Sequence, residues 1–199
     1  RLTCDGPHAE TTVQDADRIA REQIGKIIFG TGDESLEERV VHGLAEANAT
    51  LALAESCTGG LICHRVTNVS GASQVLLAGF VTYSNEAKQK SLGVRSETLA
   101  GHGAVSEATA REMAEGARRE TGADYAIAVT GIAGPTGGSP EKPVGTVFIG
   151  MASPRRTLAM KFFNPFDRET FKQITSQQAL EMLRRQIQKD ASRQKNPIA

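Results

Sequence analysis

Hydroxyl, thiol and lysine side chains recur in this chain where an apolar run gives way to glycine. The first such place is Glu55-Ser56-Cys57-Thr58-Gly59-Gly60, directly after Leu51-Ala52-Leu53-Ala54. A short apolar run reads as a buried strand, and the residues after it read as the start of a helix. Such a turn leaves backbone N–H groups unpaired, facing whatever occupies it. A serine nucleophile placed there has donors beside it for a developing oxyanion. Two further clusters follow strand-like runs: Tyr83-Ser84-Asn85-Glu86-Ala87-Lys88, and Thr130-Gly131-Ile132-Ala133-Gly134-Pro135 continuing to Ser139.

Each of these residues has a plain structural reading when taken singly. Ser56 or Thr58 can cap a helix, Cys57 can fill a core, Lys88 can be a solvated surface lysine, and Tyr83 can be a core residue with a wet hydroxyl. Together they form a chemical set. A serine attacks an acyl carbon only if a base takes its proton, and a lysine serves when burial lowers its pKa. A tyrosine can relay that proton. His8, His42, His64 and His102 lie away from the strand ends, so a Ser-His-Asp triad is not indicated. No His/Asp/Glu cluster has metal-ligand spacing, so no metal is expected, and serine chemistry of this kind needs no organic cofactor.

Composition narrows the classes. The chain has 199 residues, of which 39% are apolar, which suits one main domain. Its 23 basic and 23 acidic residues cancel, and aromatics make up only 5%. Neither a nucleic-acid partner nor an anionic membrane is expected from that balance. Three cysteines without a CxxC pair fit a reducing cytoplasm, and no run is long enough to span a membrane. Apolar strand and helix faces make a homo-oligomer the expected assembly.

The elements that must position these groups alternate. Residues 1–33 are polar and read as an extended leader or the tail of a preceding domain; 34–199 form the main domain. A helix carries Leu36, Val40, Val41 and Leu44; a strand covers 51–54; a helix holds Leu61, Ile62 and Val66. The run 75–83 is long and β-rich and reads as a central strand. Asn85 is placed to cap a short helix over 86–92, and Ser106 a longer one with Ala110, Met113, Ala114 and Ala117 as its stripe, ended by Gly122. A strand at 125–130, paired strands at 144–152 and 157–163, and a helix over 167–190 complete the pattern. The expectation is an α/β fold, a three-layer α/β/α sandwich with a mixed, mostly parallel sheet.

Five ordered motifs then resemble one family. Residues 54–60, 79–88, Gly103-Ala104-Val105-Ser106-Glu107, 129–135 and Lys142-Pro143-Val144-Gly145-Thr146-Val147 are similar to the CinA C-terminal domain family, from about Asp33 through the last helix. That resemblance implies a nicotinamide mononucleotide deamidase, an amidohydrolase that yields nicotinic acid mononucleotide and ammonia and so recycles the pyridine nucleotide. It implies Ser56 as nucleophile, with Tyr83 and Lys88 handling its proton. Thr130 is then a contact in the pocket and Arg168 a holder of the nucleotide. Thr58, Gly59 and Gly60 are the expected oxyanion support, and the loop with Gly131 and Gly134 the expected phosphate cradle. Longer members carry a further N-terminal domain, of which residues 1–32 resemble the tail. The competing class is a non-catalytic nucleotide-binding or assembly domain, in which Lys88 is only a charge partner.

Overall fold

A computed structural model describes residues 3–30 and 32–195. The chain divides into a short unit ending at Ser35 and a larger one beginning at Leu36. The short unit is not extended. It contains helix α1 (Ala9–Ile24), which buries none of its residues and carries ion pairs one turn apart, Arg18 to Glu22 at 3.1 Å and Arg21 to Asp17 at 2.7 Å.

In the larger unit, five strands form one mixed sheet: β1 (Leu51–Glu55), β2 (Leu76–Val81), β3 (Tyr125–Gly131), β4 (Thr146–Ala152) and β5 (Thr157–Phe163). Their order is β2-β1-β3-β4-β5, parallel from β2 to β3 and antiparallel from β3 to β5. On one face pack α2 (Leu36–Glu46), α3 (Leu61–Thr67) and the long α7 (Arg168–Lys195); on the other, α4 (Asn85–Leu92), α5 (Ser96–His102) and α6 (Glu107–Thr121). This is the α/β/α sandwich anticipated above.

The two sheet faces differ in side-chain size, and period-two alternation is the cause. Ala52 and Ala54 of β1 register with Ala126 and Ala128 of β3, which register in turn with Ala152 and Gly150 of β4. The opposite face carries Leu53, Ile127 and Met151 in one row. Helix α6 lies close on the small-residue face, burying the predicted stripe Ala110, Met113, Ala114 and Ala117 completely. Ser106 caps this helix by accepting from the Thr109 amide at 3.1 Å, and Gly122 ends it at φ 71°.

Three details differ from the sequence reading. The 75–83 run yields an edge strand, β2, whose residues alternate between half-buried and exposed. Its β-branched and aromatic content suits any half-buried pleated surface, so it carries no information about position in the sheet. Helix α5 was not anticipated, because its seven residues hold too few apolar positions to show a period. The cap of α4 is Ser84, whose hydroxyl accepts from the Ala87 amide at 3.0 Å, with Asn85 the first helical residue.

The chain order places a topological switch at β1. The connection from β1 to β2 runs over the α3 face, and the return to β3 runs over the α4–α6 face, so the crevice opens beyond the carboxyl end of β1. Tight packing keeps this frame in place. A Cβ added at Gly116 would overlap the Leu92 carbonyl, and one at Gly150 the Ala110 carbonyl. Alanine is favoured over glycine in an exposed helix by about 1 kcal/mol, but here the clash governs. Gly116→Ala and Gly150→Ala are each expected to lower stability by about 2 kcal/mol or more, read from urea unfolding midpoints.

Candidate active site

The turn after β1 is built around a buried carboxylate. Glu55 is 1% exposed, and its side chain accepts from the amides of Gly60 (3.0 Å), Ile62 (3.1 Å) and Cys63 (2.8 Å) at the start of α3. Its backbone carbonyl receives the Thr82 amide at 2.8 Å, while the Ser56 amide donates to Val129 at 3.1 Å. One residue therefore ties β1 to the helix that follows it and to the end of β2. The arrangement corrects the expectation for the oxyanion donors. The Gly60 amide is spent on Glu55 and the Gly59 amide on the Ser56 carbonyl at 3.1 Å. Neither glycine lines the cavity described below. The amides of Cys57 and Thr58 lie beside the Cys57 sulfur, and of these two residues Cys57 alone lines the cavity. Thr58 itself is fully buried, with its hydroxyl unpartnered.

Lys88 reaches Ser56 directly. Its side-chain nitrogen Nζ lies 3.1 Å from Ser56 Oγ and donates to the Thr82 carbonyl at 2.8 Å. The side chain is 1% exposed and has no carboxylate partner, so burial pulls its pKa below the ordinary 10.5. The spacing from the Ser84 cap to Lys88 is one helical turn, which aims the amine back under the carboxyl ends of β1 and β2. Cys57, beside Ser56, has its thiol pushed up to about 12 by burial, which leaves it protonated and unsuited to attack.

Tyr83 stands apart from that pair. It is 62% exposed, and its hydroxyl accepts from Arg168 Nη2 at 2.8 Å rather than meeting Ser56 or Lys88. Arg168 also donates through Nη1 to the Gly134 carbonyl at 2.9 Å, so its guanidinium bridges the segments after β2 and β3. Thr130 is 1% exposed and donates its hydroxyl proton to the Ala104 carbonyl at 2.7 Å. Gly131 and Gly134 are required by packing: a Cβ at Gly131 would crowd Thr146 and Val147, and one at Gly134 would overlap Val144.

Ser56, Tyr83, Lys88, Thr130, Gly131, Gly134 and Arg168 line a common cavity of about 280 Å³, together with Cys57, Ala104, Val105, Ile132, Ala133, Thr136 and Gly137. Among the described residues no carboxylate lines it, while two basic side chains, Lys88 and Arg168, do. Sequence reasoning missed Ala104 and Val105 as wall residues, although both fall inside a motif that had been noted.

The family model for the CinA C-terminal domain matches residues 33–187. The chain belongs to this family. A CinA-like protein of Kosmotoga olearia is 46% identical over 179 residues, covering 90% of this chain and 43% of the relative. One from Syntrophus aciditrophicus is 51% identical over 180 residues, covering 90% and 43%. The chain thus spans less than half the length of the curated relatives it matches. The crystal structure of the competence/damage inducible protein CihA of Agrobacterium tumefaciens superposes with a TM-score of 0.73 at 43% identity, covering 78% of this chain and 96% of that one.

Two outcomes follow from the two buried side chains Glu55 and Lys88 in this CinA domain. Glu55→Gln puts an amide donor against backbone donors, and is expected to cost on the order of 3 kcal/mol in urea unfolding. Lys88 has a lowered folded pKa, so between that value and 10.5 the unfolded chain binds more protons than the folded one. Its contribution to stability therefore rises with pH across that window. Melting curves should show wild type gaining on Lys88→Met as pH increases toward 10.5.

Proposed function

We propose that this CinA domain is an amidohydrolase that deamidates nicotinamide mononucleotide through a serine–lysine pair. The observation that carries the proposal is the carboxylate-free, buried Lys88 amine 3.1 Å from Ser56 Oγ at the mouth of a switch-point crevice. Burial of a lysine without a counter-ion is unfavourable, and its use is to hold the amine neutral and basic toward a neighbouring hydroxyl. The resemblance of the five motifs to nicotinamide mononucleotide deamidases supplies the substrate. The cavity volume of about 280 Å³ is in keeping with a mononucleotide rather than a larger ligand. Arg168 supplies the positive charge that a phosphate needs, and Gly131, Gly134 and Gly137 leave the cavity wall near it free of side chains.

The steps balance as follows. Neutral Lys88 accepts the Ser56 hydroxyl proton as Oγ bonds to the carboxamide carbon, and the carbonyl oxygen takes up the charge. The amide of Cys57, which lines the cavity next to Ser56, is the donor assigned to that oxyanion. Lys88 then returns the proton to the amide nitrogen, the C–N bond breaks and ammonia leaves. Water adds to the acyl-serine as Lys88 takes its proton. The C–Oγ bond then breaks as Lys88 returns that proton to Oγ, which restores Ser56 and neutral Lys88, and the acid released loses its own proton to solvent as the carboxylate. Tyr83, held by Arg168, serves as part of the substrate clamp in this scheme.

The test is release of ammonia and nicotinic acid mononucleotide from nicotinamide mononucleotide. Ser56→Ala is expected to abolish turnover, and Lys88→Met to lower kcat by roughly 10²–10⁴. Activity should fall on acidification as Lys88 becomes protonated, with its midpoint below 10.5. Full activity in Ser56→Ala would overturn the serine mechanism.

A further inference from the structure

We propose that Thr130 reads the carboxamide as an obligate hydrogen-bond acceptor and thereby separates the amide substrate from the carboxylate product. The proposal rests on the deamidase reading above. A hydroxyl has one proton to donate and two lone pairs. The Thr130 proton is committed to the Ala104 carbonyl at 2.7 Å, in a side chain only 1% exposed, and both residues line the cavity. The Ala104 carbonyl cannot swing away to release it. The preceding Gly103 carbonyl accepts from Ser106 Oγ at 3.0 Å and Thr109 Oγ1 at 2.8 Å, and the His102 carbonyl from Lys142 Nζ at 2.7 Å. Three successive carbonyls are thus pinned by side chains, and Thr130 is left with lone pairs only for a ligand.

The rest of the cavity gives this polarity its consequence. Arg168 brings positive charge, Lys88 adds to it whenever it holds a proton, and among the described residues no lining side chain is a carboxylate. Such surroundings favour a carboxylate over a carboxamide, so a hydrolase built this way would hold its own product. The two groups differ where the amide carries N–H donors and the carboxylate carries only acceptors. A fixed acceptor accepts from the amide nitrogen and opposes the carboxylate oxygen that replaces it. Thr130 is the buried lining side chain whose hydroxyl proton is locked on a backbone carbonyl.

Binding to the Ser56→Ala protein, measured by calorimetry with nicotinamide mononucleotide and with nicotinic acid mononucleotide, tests this without turnover. Adding Thr130→Val is expected to weaken the amide about tenfold while the carboxylate binds as before or more tightly. Thr130→Ser should keep the wild-type ratio of the two affinities. Equal weakening of both ligands by Thr130→Val would overturn the proposal, because Thr130 would then only brace the 103–106 wall. Failure of both ligands to bind Ser56→Ala would overturn the substrate reading and this proposal with it. Ammonia release by wild type alongside an unchanged affinity ratio in Thr130→Val would overturn the polarity assignment alone.

Discussion

The hydrogen bonds from three α3 amides to the buried Glu55 carboxylate govern the architecture of this site. A helix start exposes unpaired donors, and in an open turn they attract an external anion. Here the anion is internal and comes from the last residue of β1. The turn is thereby locked with Ser56 at its apex, 9% exposed, and the Gly59 and Gly60 amides are taken up within the turn itself. Glu55 also receives the Thr82 amide through its backbone, and Thr82 in turn receives Lys88. The nucleophile turn, the neighbouring strand end and the amine are therefore linked through a single buried residue.

Lys88 shows what this frame is for. A buried amine with no counter-ion lowers stability at any pH where it must stay neutral against its solution tendency to protonate. Its surroundings offer one carbonyl and one serine hydroxyl, and no carboxylate that would hold it charged. The same absence of acid extends over the cavity wall, where Arg168 supplies a permanent cation. Basicity toward Ser56 and attraction for an anionic ligand thus arise from one physical condition, the exclusion of carboxylates from the crevice.

The sheet contributes through the size difference between its faces. Alanine and glycine rows let α6 approach until its backbone meets that of β4, as the close approach of Gly150 to Ala110 requires. The start of the same helix is capped by Ser106, which also pins the Gly103 carbonyl. Packing on the small-residue face therefore sets the wall against which Thr130 donates.

Local sequence alone determined most of the elements, the Ser106 cap, the buried stripe of α6 and the family resemblance, because period, cap chemistry and motif order are encoded between near neighbours. It also singled out Ser56, Lys88 and Thr130, since strand ends followed by glycine and polar residues are legible without partners, while Arg168 came from the family resemblance alone. Only the tertiary structure decided that β2 is an edge strand, that Glu55 occupies the amides of α3, and that Tyr83 joins Arg168 instead of Ser56. The reason is separation along the chain: Lys88 meets Ser56 across 32 residues and Arg168 meets Tyr83 across 85. A residue's type states which bonds it can make, whereas the choice among them depends on which groups the fold brings within reach and which of their protons are already committed.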